Sequence, residues 1–226
     1  MTKPLRDGPD PEVPGVHPAG QARSRLLQDR FVKAGRMALR TTRLDDLSIP
    51  VLAEAAASSV GGFYSRFETK EAFFEFLRAK MLEAHKRLFD DRLADDRLTN
   101  RGRGDVSEEL VDAMLAIFSG PWRGVLREAY ACMTDSPAAW APMRARGQMV
   151  RDRVLALYRT HMPGDDKLEE RVSMAVQLLY SALNNEMMNP NLTFKIEDPK
   201  FRTYLVAMVD AIVSGEAPGL RPASPQ

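Results

Sequence analysis

Between Arg43 and Lys70 the chain sets out side chains suited to holding a polyanion rather than to turning over a substrate. Ser48, Ser58 and Ser59 offer hydroxyls, Tyr64 a phenol, and Arg43, Arg66 and Lys70 fixed positive charge. Val60 offers a branched apolar surface, and Gly61 and Gly62 let backbone come close to whatever is bound. Lys70 follows Thr69, a good N-cap, so it stands at a helix N-terminus, where phosphate is already favoured. Other chemistry is not set out. There is no nucleophile elbow, P-loop, dinucleotide fingerprint or HExxH, and His17, His85 and His161 lie far apart without Cys or carboxylate at metal spacing. Cys132, between Ala131 and Met133, reads as a small buried hydrophobe. The expectation is a chain that is not an enzyme and needs no cofactor or metal.

The elements that must position these residues are short helices. Ser48 caps a helix with Pro50 in its first turn, and Leu52, Ala55 and Ala56 form its apolar face. Ala57-Ser58-Ser59 makes a turn, and a second helix runs from Val60 to Arg66. Thr69 then opens a third. Small residues at 53, 55, 56 and 57 allow two helices to cross steeply, which is the sequence form of a helix-turn-helix. Upstream, Gln21 to Thr42 reads as a basic amphipathic helix with Leu27, Phe31, Ala34, Ala38 and Leu39 inward. Whether Arg23 and Arg25 extend that helix or reach along a DNA backbone stays open at this stage.

This ordered set resembles the DNA-binding domain of the TetR-type (TetR/AcrR) bacterial transcriptional regulators. The residues that carry the resemblance are Leu52-Ala53, Ala57-Ser58-Ser59, Gly61-Gly62-Phe63-Tyr64-Ser65-Arg66-Phe67 and Thr69-Lys70-Glu71, preceded by Phe31 to Leu39. It covers roughly residues 30 to 80. The chain departs from the family pattern at three slots: the turn glycine is Ala57, the following valine is Ser58, and the glycine ending the first helix is Arg43. The resemblance implies backbone contacts from Tyr64 and Lys70, dimerisation through the last two long helices, and a small, mostly apolar effector.

Charge is divided in the same sense. From Gln21 to Arg43 seven Lys/Arg face one acid, Asp29, whereas residues 91–226 carry 17 basic and 19 acidic side chains. A basic front on a slightly acidic body fits contact with nucleic acid at one end. A single cysteine suits a reducing, cytoplasmic setting, and no apolar run is long enough to span a bilayer.

The expected fold is all-α in two domains. Residues 1–20, rich in proline and glycine, read as a disordered arm, 21–92 as the helix-turn-helix domain with a long linking helix, 93–216 as a helical effector-binding and dimerisation domain, and 217–226 as a disordered tail. In the second domain Trp122, Leu126, Tyr130, Met133, Trp140, Met143, Met174 and Tyr180 are candidates for an adaptable apolar pocket, or simply for core. Leu179, Leu183, Met187, Leu205, Met208, Val209 and Ile212 are candidates for a two-fold interface, against packing within a monomer. The functional expectation is a homodimeric repressor that binds a double-stranded DNA operator and is released by an effector. An activator or corepressor-dependent form, or a helical ligand-binding protein without DNA affinity, stands as the alternative.

Overall fold

The computed structural model describes residues 10–94, 98, 101–132, 141–189 and 191–216. Among them the regular structure is entirely helical: α1 (Ala22–Ala38), α2 (Ile49–Ala55), α3 (Val60–Tyr64), α4 (Lys70–Arg92), α5 (Arg103–Ser119), α6 (Arg123–Cys132), α7 (Ala141–His161), α8 (Leu168–Met188) and α9 (Pro199–Ser214). The chain divides into two compact units, one of residues 1–84 with 121–132 and one of 85–120 with 133–226. The boundary within α4 falls between Ala84 and His85, in a helix that continues unbroken. Helix α6, expected from sequence in the second domain, has its contacts in the first unit, against α1.

In the first unit the turn residues act as read from sequence. Ser59 Oγ accepts from Gly62 N–H at 3.0 Å, Thr69 Oγ1 accepts from Ala72 N–H at 3.0 Å, and Ser48 Oγ lies 3.5 Å from Val51 N. Behind α2 and α3 the core is aromatic. Phe31, Phe63, Phe67, Phe73 and Phe76 are all fully buried. Phe63 meets the edge of Phe31 at 5.5 Å between centroids, and Phe67 meets Phe73 at 4.8 Å. Such pairs add about 0.5–1.5 kcal/mol each beyond their buried area. Ala57, in the slot where a glycine was expected, holds a positive φ of 48°.

The expectation of a disordered arm is corrected for residues 10–20; residues 1–9 lie outside those described, as do 217–226. His17 N–H donates to the Arg66 carbonyl and Glu68 N–H to the Gly15 carbonyl, both at 2.8 Å, bridging Val16 to Phe67. The Asp10 carboxylate accepts from Lys80 Nζ and from Gln28 Nε2, each at 2.7 Å. Lys80 and Gln28 are buried polar groups on otherwise apolar helix faces, and Asp10 supplies the partner that burial demands. Prolines at 11, 14 and 18 lower the entropy lost when the segment is fixed.

In the second unit α8 packs on α7 and α9, and α5 packs on α7, α8 and α9. Ion pairs stitch α5 to α9. Arg202 grips Asp112 at 2.6 Å and Glu108 at 3.1 Å, and Arg103 forks onto Asp210 at 3.2 Å. Between them Tyr158 and Ser107, both fully buried, share a hydrogen bond of 2.8 Å. Burial raises the Tyr158 phenol above its ordinary range, so it stays neutral. His85 is also buried here, and its pKa falls to about 3, first through desolvation and then through the nearby Arg146 charge.

Candidate nucleic-acid interface

Helix α3 is only five residues long, and its buried side is a single residue, Phe63. The opposite side is open: Ser59, Val60, Gly61 and Tyr64 are exposed, and Ser58 and Gly62 half-buried. Val60 and Tyr64 leave 41% and 48% of their surface to solvent, a large apolar and aromatic exposure for so short a helix. The two glycines differ in what they need. A methyl group on Gly62 would overlap the Ser58 hydroxyl, which would have to rotate away. A methyl group on Gly61 would meet nothing nearer than Ser59 Oγ at 3.8 Å. The fold therefore places no demand on Gly61, although glycine costs a helix about 1 kcal/mol relative to alanine.

The three cations assigned to this surface from sequence have separate fates. Arg43 is half exposed, with Nε 3.3 Å from Glu128 Oε2. Lys70 donates through Nζ to the backbone carbonyls of Leu44 (2.9 Å) and Asp45 (3.1 Å) and so ties α4 to the loop before α2. Arg66 is a correction. It is 91% buried, its Nε donates to the Ser65 carbonyl, and its Nη1 turns to the carbonyl of Pro18, so the residue braces the N-terminal segment instead of flanking a groove. The aromatic packing of Phe67 and the seated segment draw it inward, neither of which is visible in a charge count.

The pocket candidates do not form one set. Trp122, Leu126 and Tyr130 sit in the first unit, with Trp122 under the Arg36 guanidinium at 4.6 Å. Met143, Met174 and Tyr180 belong to the second unit, where Met174 is exposed and Tyr180 meets the edge of Phe118 at 6.4 Å. Met133 and Trp140 lie outside the described residues. A half-open cavity of about 470 Å³ in the second unit is lined instead by Lys86, Phe89, Asp90, Leu93, Arg146, Met149, Val150 and Arg153. The Arg146 guanidinium lies over the Phe89 ring at 5.1 Å there. Four of its lining residues, Lys86, Asp90, Arg146 and Arg153, are charged, and such residues carry no apolar periodicity by which a sequence could mark a cavity.

The interface candidates are corrected too. Leu179, Leu183, Leu205 and Val209 are at most 3% exposed within the single chain, Met187 and Ile212 are 7% exposed, and Met208 is half-buried. They are covered by the chain's own packing. Besides Glu169, Glu170 and Gln177, the exposed residues of α8 are Met174, Leu178, Ser181, Asn185 and Met188, spaced four and three apart by turns, with Tyr204 of α9 exposed as well. Cys132 is exposed rather than buried, and its thiol pKa is raised by desolvation first and by Glu128 next. Among the described residues no cluster could hold a metal ion, and no helix is long and apolar enough to cross a membrane.

No family model matches the sequence, and no curated protein does either. Solved structures do match. The chain superposes on GusR of Salmonella enterica with a TM-score of 0.60 at 19% identity, over 83% of this chain and 95% of that one. It superposes on a proposed TetR-family transcriptional regulator from Mesorhizobium loti with a TM-score of 0.63 at 16% identity, over 86% of this chain and 98% of that one. The fold is that of the TetR-type regulators.

Proposed function

We propose that the chain is a DNA-binding transcriptional regulator that acts as a homodimer, with α3 as its reading head. The observation that carries this reading is the exposed surface of Ser59, Val60, Gly61 and Tyr64, where a glycine that the fold does not require lies beside apolar and aromatic groups facing water. A helix with that surface can lie close on a major groove. Val60 then touches a thymine methyl, Ser58 and Ser59 hydrogen-bond to bases, and Tyr64, Arg43 and the spare donor of Lys70 meet phosphates. Arg, Asn and Gln are absent from 58–64, so much of the specificity comes from half-site spacing and DNA shape.

Spacing requires two copies. The four-three alternation of Met174, Leu178, Ser181, Asn185 and Met188 is the seam of a helix pair, and it supports a dimer formed by α8 with its copy. The regulator is a repressor released by a small, mostly apolar effector seated in the second unit. The cavity beside Phe89, Leu93, Met149 and Val150 has the volume of a small-molecule site. Such an effector must favour the conformation that does not bind DNA, since equal affinity for both states shifts nothing. Selection from a randomised duplex pool tests the reading. The expected product is a pair of half-sites one helical turn apart, about 34 Å. Recovery of no sequence above the starting pool would contradict it.

A further inference from the structure

The loop between α1 and α2 carries Arg43 and sets the entry to the helix-turn-helix, yet it lacks the usual device for ending a helix. No residue from 39 to 47 is glycine, and none adopts a positive φ. The last carbonyls of a helix still need donors from somewhere. In α1 they come from the next amides of the chain, Leu39 N–H on Gly35, Arg40 N–H on Met37 and Thr41 and Thr42 N–H on Ala38, whereas the loop carbonyls beyond are held by α6, far along the chain. Arg127 of α6 donates through Nη2 to the carbonyls of Leu39 (3.0 Å) and Thr42 (3.1 Å), and through Nη1 toward that of Arg40 (3.5 Å). Its Nε binds Glu128 Oε1 at 2.9 Å. The other carboxylate oxygen, Oε2, accepts Leu44 N–H at 2.9 Å and faces Arg43 Nε at 3.3 Å.

Glu128 is 2% exposed, so three donors converge on a carboxylate taken out of water. One turn earlier, Gly124 lets the two backbones touch, because a methyl group there would overlap the Leu39 carbonyl and the Arg40 amide. Gly124, Arg127 and Glu128 share one face of α6 by their spacing of three and four. The arrangement is a clasp: a close backbone approach, a guanidinium spanning three carbonyls, and a carboxylate holding the next amide and the next cation.

We propose that Arg127 and Glu128 are positioning residues for DNA binding, fixing the loop 39–47 and with it Arg43 and the start of α2. The inference rests on the reading of α3 as the reading head, and the test separates the two. Glu128→Gln keeps the size of the side chain and removes its charge. With duplexes selected by the unmodified chain, this variant, folded by circular dichroism, should bind about tenfold more weakly or worse, the loss expected when a buried charged hydrogen-bond partner is removed. The slope of log affinity against log salt should stay unchanged, because no phosphate contact is deleted. Arg43→Ala should instead make that slope shallower by about one unit per protomer. Hydrogen exchange at the Leu44 amide should quicken at least tenfold in Glu128→Gln, a readout that needs no DNA. If Glu128→Gln does not fold, Arg127→Lys replaces it, since one ammonium cannot span three carbonyls; it should lower affinity severalfold. If the unmodified chain selects no DNA, the reading head is misassigned, and the Leu44 amide still reports on the clasp. Folded Glu128→Gln that binds as tightly as the unmodified chain, or more tightly because a negative charge has gone, overturns the proposal. So does an unchanged Leu44 exchange rate.

Discussion

The two units share ion pairs and cation–carbonyl bonds but lean on them differently. In the second, cations meet carboxylates across helices: Arg202 with Asp112 and Glu108, Arg103 with Asp210. In the first, besides the pairs of Lys80 with Asp10 and Arg43 with Glu128, three cations hold backbone carbonyls: Lys70 on Leu44 and Asp45, Arg127 on Leu39 and Thr42, Arg66 on Pro18. Ion pairs between helices hold a bundle whose elements are already regular. Donors aimed at carbonyls hold loops, which have no ladder of their own to satisfy them. The first unit is thus built to fix the path of irregular chain around short helices, as the proposed reading head of five residues would require.

The contrast can be broken most forcibly in the second unit, on the two sides of α8 and α9. Leu205→Glu with Val209→Glu puts two charges into a protomer's own core and should unfold that unit, since an unpaired buried charge costs several kcal/mol. Leu178→Glu, on the exposed seam, should leave the helical signal and thermal transition of the protomer nearly unchanged while sedimentation shows monomer. A Leu178→Glu chain that still sediments as a dimer would remove the seam from the interface.

The buried imidazole gives a smaller effect with a definite sign. His85 has its folded pKa lowered to about 3, so between that value and 6.5 the unfolded chain binds the proton that the folded chain refuses. Stability is therefore present in full above pH 6.5 and lost as pH falls, by about 2 kcal/mol between pH 6.5 and 5 at the limiting slope. Urea melts at those two pH values should show it, and His85→Leu should remove that part of the difference. A loss just as large in His85→Leu would place the acid sensitivity elsewhere.

Lys70→Ala sharpens the comparison from the side of the first unit. Losing two charged hydrogen bonds at a half-exposed site should cost about 1–2 kcal/mol of stability in thermal or urea unfolding. If the spare donor also meets phosphate, the salt slope becomes shallower by about one unit per protomer. An undiminished melting profile would show that the two carbonyls do not depend on Lys70. Ala57→Gly should give the smallest change, a gain of about 1 kcal/mol, because φ at 57 is positive and only glycine adopts it freely. A loss of stability there would mean that the alanine methyl packs more than its backbone strains.

Sequence periodicity and caps carried much of this structure. Helix α9 begins at Pro199 and ends at Ser214 where its proline and glycine punctuation puts the limits, and Ser59 and Thr69 cap the helices they precede. What periodicity cannot give is which apolar side of a helix meets its own chain and which meets a copy. Leu179 and Leu178 differ by one residue and by whether they are covered, and both are leucine. Nor could composition reveal the docking of residues 10–20, since the cue was a buried lysine and glutamine on distant helices waiting for Asp10. Arg66 and Lys70 were legible as cations but not as braces, because a carbonyl acceptor leaves no mark in the sequence.

The central claim is that α3 lies with its backbone close on DNA at Gly61, and Gly61→Leu tests it most directly. Space around the Gly61 Cβ is open, so the variant should fold, melt and sediment like the unmodified chain. Its affinity for the selected duplex should fall at least a hundredfold, since a leucine would hold the helix away from the groove and strip the Val60 and Ser59 contacts together. Gly61→Leu binding within a factor of about three of the unmodified chain, with the fold intact, would contradict the account.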